Sequence, residues 1–593
     1  MSISNAAPRR CAALLASLLL LNACSAHRRG QPAPAADVPW TYDEKGPAET
    51  KTEATDSDAI GQFLRAELAL RNGDRDTALA AYEKAVNADP NSPMLRRRLA
   101  VLYVRSGRLT DALDQCAAVL AVEPDNVEVR LLMAGILSSL GKEDDATREY
   151  ERVLALDTSN QEAYLFLGAL YDKRGDYERA VKTLEQLTQL NPNYFLGYYY
   201  LGRVHAAAGQ LDEADQAYNH ALKLNPQSEL VLADLALLYE ARKQPKKAID
   251  IYERILSANP KSATVRKRLG GLYVGQKRLD EAITQFREVE KVESDPQQTR
   301  TKIGLIYFEK GDYDKAATEF NLVLAAEPKN YSVRYYLGAV LTESGEYQKA
   351  VEVLSEIPPD YDDYVDARIQ IAYVYQRQGR PDRAIAELTK VLEQKPDNTT
   401  VLMFLTSLYR DTKEVDKAIG VAERLVQLEP DNDQYHFTLG ALYDEDKQKE
   451  RCVAQMRKAI ELNPLNAAAL NYLGYTYAEQ GTNLDEAESL IRRAVDLEPN
   501  DGFYVDSLGW VYYQRGDYKG AIAELERAVE LVGDDPTIVE HLGDAYQALG
   551  RNQDALRLYR DAAGRSKDKA QVDRLREKIE GIEGRPRKAA NDI

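Results

Sequence analysis

Side chains able to carry out covalent or metal chemistry are few in this chain, and none is spaced for it. The five histidines, His27, His205, His220, His436 and His541, share no metal-ligand spacing with one another or with the four cysteines. There is no Cys-x-x-Cys pair, no phosphate-cradling glycine loop and no Gly-x-Ser-x-Gly turn. Carboxylates abound, but pairs such as Asp212-Glu213, Asp280-Glu281 and Asp485-Glu486 fall where helices begin. Negative charge there complements the helix dipole and is no acid–base couple. The sequence predicts a protein that is not an enzyme and needs no cofactor and no metal.

One cysteine is set apart by its surroundings. Arg9 and Arg10 precede an apolar run from Cys11 to Leu21, too short for a permanent membrane span and suited to a cleavable export signal over residues 1–23. The run closes Leu21-Asn22-Ala23-Cys24, which resembles the lipobox of bacterial lipoproteins, with Asn22 departing from the usual small residue. The resemblance implies that Cys24 receives lipid and becomes the first residue of the mature chain. It also implies a place in the bacterial cell envelope. In a Gram-negative cell, Ser25 in place of Asp implies an outer-membrane lipoprotein facing the periplasm. Plain secretion with cleavage after Ala26 is the alternative. Cys116 and Cys452 then remain, both at positions expected to be small buried hydrophobes.

From Cys24 to residue 58 the chain is polar, rich in Pro, Ala, Glu and Thr, and lacks an apolar period, which predicts a disordered tether reaching roughly 30 Å. Trp40 stands in it without explanation. Residues 569–593 are expected to form a capping helix, with Val572, Leu575 and Ile579 on one stripe, and a basic tail with Arg585, Arg587 and Lys588.

Between these ends, at 59–568, lies the element that must position any site. Alanine recurs every 34 residues from Ala78 through Ala418 and again at Ala487, Ala521 and Ala555, with Cys452 in the same role. One extra residue near Asn483 shifts the phase. Twelve places before each marker, or thirteen before Ala487 across the phase shift, sits a small residue, Thr406 excepted, and three places later there is commonly a tyrosine, as at Tyr103, Tyr273 and Tyr443. That spacing puts both on one helical face. Turn signals such as Gly175-Asp176, Gly311-Asp312 and Gly516-Asp517 divide each unit into two helices, and the second helix stops near proline, as at Pro90, Pro260 and Pro499.

This pattern resembles the tetratricopeptide repeat. The resemblance implies an all-α, right-handed superhelical solenoid of about fifteen helix-turn-helix repeats with a long concave groove. First-helix positions three before, one after and four after the small residue line that groove in the family. In the last three repeats they hold Asn471 and Tyr475, then Asp506, Trp510 and Tyr513, then Glu540, Asp544 and Gln547. Large aromatics beside amides and carboxylates suit peptide capture. Weaker aromatic patches, Tyr198 to Tyr200 with Arg203 and Tyr335 with Tyr336, are expected to be packing.

The formal charge of −18 argues against nucleic acid and against anionic membrane surfaces, and favours a basic or neutral partner. The stretch from Asn471 to Asp544 is similar to the C-terminal part of lipid-anchored repeat proteins of proteobacterial envelopes, some of which are protease adaptors. These readings predict a scaffold that binds proteins or peptides but no small-molecule substrate, and that presents substrates to a periplasmic protease or cell-wall enzyme. A structural part of an exopolysaccharide or protein export machine is the alternative.

Overall fold

The computed structural model describes residues 57–533 and 535–584. The signal segment, Cys24, Trp40 and the basic residues Arg585, Arg587 and Lys588 lie outside the described residues. Within them the protein is all-α, with thirty-one helices from Ser57–Arg71 to Lys569–Glu583 and no strand. The helices pair into fifteen repeats followed by one last helix, and they form two compact units, one ending at Glu319 and the other starting at Phe320.

The alanine period is a packing requirement. Every marker from Ala78 to Ala555, and Cys452 among them, has no exposed surface. The small position opposite lets the paired helix close in. A Cβ added at Gly168 would stand 2.6 Å from Leu184 Cγ, and one at Gly474 would stand 2.5 Å from Ile491 Cγ1. Burial pushes the Cys116 and Cys452 thiols up to about 12, so both are packing groups and poor nucleophiles.

The turn between paired helices needs one left-handed residue, supplied by Gly175 (φ 75°), Gly311 (φ 80°) and Gly516 (φ 80°). Lys243, Lys277, Lys413 and Lys447 make the same turn at positive φ without glycine's freedom. The phase shift resolves into a turn with two left-handed residues, Gly481 (φ 65°) and Asn483 (φ 46°). One second helix is cut short: Tyr347–Ser355 has 9 residues where its neighbours have 14, because Pro358 and Pro359 follow and cannot continue a helix interior.

Neighbouring repeats are tied by two further periodic links. Tyrosine of one first helix donates to a glutamate 20 residues earlier, on the preceding second helix: Tyr103 to Glu83 (2.9 Å), Tyr171 to Glu151 (2.8 Å), Tyr273 to Glu253 (2.7 Å). Arginines lie over several of these rings, Arg278 at 4.4 Å from Tyr273 and Arg451 at 4.1 Å from Tyr443. Also between repeats, Arg96, Arg130 and Arg266 reach back six residues to the carbonyls of Pro90, Pro124 and Pro260, which follow the preceding second helix. His436 takes the arginine's place, with Nε2 2.9 Å from the Pro430 carbonyl.

Successive first helices touch, as Ala467–Gln480 does Gly502–Gln514 and Gly502–Gln514 does Pro536–Ala548. Successive second helices do not approach as closely among the described residues. Within each unit, a stack in which one set of helices is closer together curves toward that set, so first helices line the unit's inner face.

Candidate functional site

The eight residues expected to form a groove lie on the first helices of the last three repeats, Ala467–Gln480, Gly502–Gln514 and Pro536–Ala548. Asp501 opens the Gly502–Gln514 helix by accepting from the Phe503 and Tyr504 amides, and Asp535 does the same for Thr537 and Ile538 at the start of Pro536–Ala548. Asp506, Trp510 and Tyr513, at i, i+4 and i+7, then share one face. Gly509 permits this helix to lie against Leu525, whose Cγ would be 2.6 Å from an added Cβ.

The carboxylates are already paired inside the chain. Glu540 is buried, accepts a two-pronged contact from Arg574 (2.9 and 3.0 Å) and lies 2.8 Å from Lys578 Nζ and 3.0 Å from Gln571 Nε2. Burial alone would raise its pKa, but Arg574, Lys578 and Gln571 outweigh that and hold it at about 2. Asp544 meets the same Lys578 at 2.7 Å and accepts from the Tyr559 hydroxyl at 2.6 Å, which also lies 2.8 Å from Gln547 Oε1. Arg574 and Lys578 sit one period after Glu540 and Asp544, so the Lys569–Glu583 helix occupies the place of a sixteenth first helix. Its Leu575 is fully buried and Gln571 nearly so; Lys578 is mostly covered and Arg574 half-exposed, and both serve as counter-ions to the groove.

Asp506 is buried against His541, 2.9 Å from its Nδ1. Burial would lower the His541 pKa, yet Asp506, with help from Asp544 and Glu540, raises it. Trp510 stacks nearly parallel on Tyr513 (4.7 Å) and on His541 (4.2 Å). Arg574, Lys578 and His541 thus already serve as counter-charges to these acids.

What remains unmatched is polar but uncharged. Trp510 Nε1 and Asn471 Oδ1 are buried without a hydrogen-bond partner. Tyr475, whose hydroxyl burial pushes up, faces the same region, with Asp506, Glu540 and Arg574 all within electrostatic reach. The other aromatic patches are packing. Tyr199 is buried and donates to Asp234 (3.0 Å), Tyr198 stacks on His220 (3.9 Å), and Tyr336 lies beside Tyr335 (6.1 Å) and Phe320 (6.0 Å). Reading the residues in isolation missed His541, Tyr559, Gln571, Arg574 and Lys578. Carrying the 34-residue register one step past the last marker would have found the two cations.

Among the described residues, no group of three or more His, Cys, Asp or Glu could hold a metal, and no helix is long and apolar enough to cross a membrane. The arrangement is thus a stacked helical-repeat scaffold with a lined inner face. The tetratricopeptide repeat profile matches in overlapping blocks over residues 69–300 and in two further blocks, 307–373 and 375–442, and a second repeat profile matches 509–562, so the chain belongs to the tetratricopeptide repeat family. A profile described as anaphase-promoting complex, cyclosome, subunit 3 matches residues 411–494.

No curated protein matches the chain. Among solved structures, it is similar to a tetratricopeptide repeat protein from Parabacteroides merdae (18% identity, 42% of this chain and 99% of that one, TM-score 0.34). It is also similar to MamA (24% identity, 29% and 93%, TM-score 0.28) and to a chain of the APC/C hetero-tetramer Cut9-Hcn1 (15% identity, 88% and 97%, TM-score 0.34). The fold is a scaffold for protein–protein contact.

Proposed function

We propose that this protein is a non-enzymatic scaffold, tethered through Cys24 in a bacterial cell envelope, that holds protein or peptide partners on the inner face around Trp510 and Tyr475. In this reading it presents them to a periplasmic protease or cell-wall enzyme. The observation that carries the site is the pair of buried, unpartnered groups, Trp510 Nε1 and Asn471 Oδ1. A buried donor or acceptor left unmade costs about 1–3 kcal/mol. Both atoms are closed to solvent, so a peptide main chain supplies their complements, a carbonyl for the indole N–H and an amide N–H for the asparagine oxygen, once the side chains covering them shift. Because the acids are matched internally, the partner is selected by backbone and aromatic contact more than by positive charge. The test is affinity capture from envelope extract with the parent chain and with Trp510→Ala, alongside circular dichroism. Lost capture with retained helicity supports the reading, whereas capture unchanged by Trp510→Ala refutes it.

A further inference from the structure

An array of stacked repeats has two ends that expose what its interior buries. The last repeat is covered by the Lys569–Glu583 helix. The Ser57–Arg71 helix has no described element before it. Two residues after the small position, interior first helices carry an apolar side chain that is 0–5% exposed: Leu102, Ile136, Leu170, Val204 and Leu238. Leu68 holds that position in the first repeat and is 60% exposed. Its own repeat is built like the others, so the missing cover is the element that a preceding repeat would supply. Leu64 (61%) and Ile60 (55%) extend the same face at four-residue steps, giving an apolar stripe roughly 12 Å long, of which the Ile60 position is also exposed in interior repeats, at Met94 (43%) and Leu230 (46%).

We propose that the chain covers this stripe itself, with the segment Val38-Pro39-Trp40-Thr41-Tyr42 lying along it as an N-terminal cap. Trp40 and Tyr42 are the only aromatic residues between Cys24 and Ser57. Val38, Trp40 and Tyr42 alternate, so an extended segment turns all three to one side at steps of about 6.6 Å. The stripe offers its three side chains at steps of about 6 Å. Pro39, the second of the five residues, fixes its own φ and biases Val38 before it toward extended backbone. The intervening residues 43–56 span up to about 50 Å when extended, far more than the stripe requires. A short linker also gives the segment a high effective concentration at that face. Trp40 is then a structural cap, one that lets a repeat array begin without exposing its stacking surface.

The chain holds two tryptophans, so in the full-length Trp510→Phe chain Trp40 is the sole tryptophan and can be excited apart from the tyrosines. The emission of Trp40 should be blue-shifted and shielded from iodide, and the added exchange Leu64→Glu should return it to a water-like emission with several-fold stronger quenching. Leu64 is exposed, so the charge does not disturb the fold, and circular dichroism checks this. Water-like emission in the parent, indifferent to Leu64→Glu, overturns the proposal. So does a chain that sediments as a dimer dissociated by Leu64→Glu while Trp40 stays exposed, since a second copy is then the cover. Hydrogen exchange gives an independent reading with Trp510 intact: Trp40→Ala should speed exchange over residues 57–71 and nowhere else, and unchanged exchange there also overturns it.

Discussion

Replacing Gly338 with alanine should loosen one repeat, while the same change at Gly440 should not. Gly338 faces Leu354 on the short Tyr347–Ser355 helix, and an added Cβ would stand 2.4 Å from both Leu354 Cγ and Cδ2. Cγ is a branch atom of a fully buried side chain, so it has no free end to swing away. The helix pair must part, at a cost of about 1–3 kcal/mol for overpacking. Alanine's better helix propensity offsets about 0.8–1.0 kcal/mol of that. The net result is a loss of up to about 2 kcal/mol, confined to that repeat and its neighbours. At Gly440 the nearest atom is the terminal Cε of Met456 at 2.9 Å, with Gln455 Cβ at 3.2 Å. Methionine has three rotatable bonds and withdraws cheaply, so the propensity gain survives and Gly440→Ala is neutral to stabilising by about 1 kcal/mol. A repeat array need not melt in two states, so the assay is hydrogen exchange resolved by peptide, comparing 331–355 with 433–462. Equal effects of the two variants, in size and sign, would refute the argument that branch-atom contact sets the cost.

Lys413→Gly should raise the local stability of its repeat by about 1 kcal/mol, because a lysine at φ 62° carries the left-handed penalty that glycine escapes, less the entropy glycine adds to the unfolded chain; a lower melting temperature would count against it. His541 should make the last repeats pH-sensitive. Its folded pKa lies above the unfolded 6.5, so its contribution is complete below that pH and fades as pH rises through the folded value. Exchange over 536–548 should therefore quicken with pH beyond its intrinsic rise, and Asp506→Asn should flatten that extra slope; a parent without it contradicts the pairing.

The repeat was legible because each marker answers to one physical demand: Ala78 and its successors are buried without exception, and Gly175 and Gly516 do end helices in the left-handed conformation. The cap was legible as a helix but not as a counter-ion. Leu575 announced a buried stripe, while the pairing of Arg574 with Glu540 depends on stacking across a period that composition does not display. The lysine turns at Lys243, Lys277, Lys413 and Lys447 carry no local signal, since a residue that tolerates strain looks like any surface lysine. The short Tyr347–Ser355 helix could have been read from Pro358 and Pro359, but the unbroken alanine beat through Ala350 and Ala384 concealed it. For the candidate groove, type and register of the eight residues were readable. Which of them are spent on internal partners was not, because Asp506 and His541 meet only through the fold.

The most direct test of the account is where a captured partner touches the array. A photo-crosslinking residue placed at Tyr475 or Tyr513 lies on the inner face, and one at Leu497, 40% exposed on a second helix, lies off it. The account predicts that envelope partners crosslink to the chain from 475 and 513 and not from 497. Equal crosslinking from all three, or crosslinking from 497 alone, would contradict the claim that the first helices of the last repeats form the binding face.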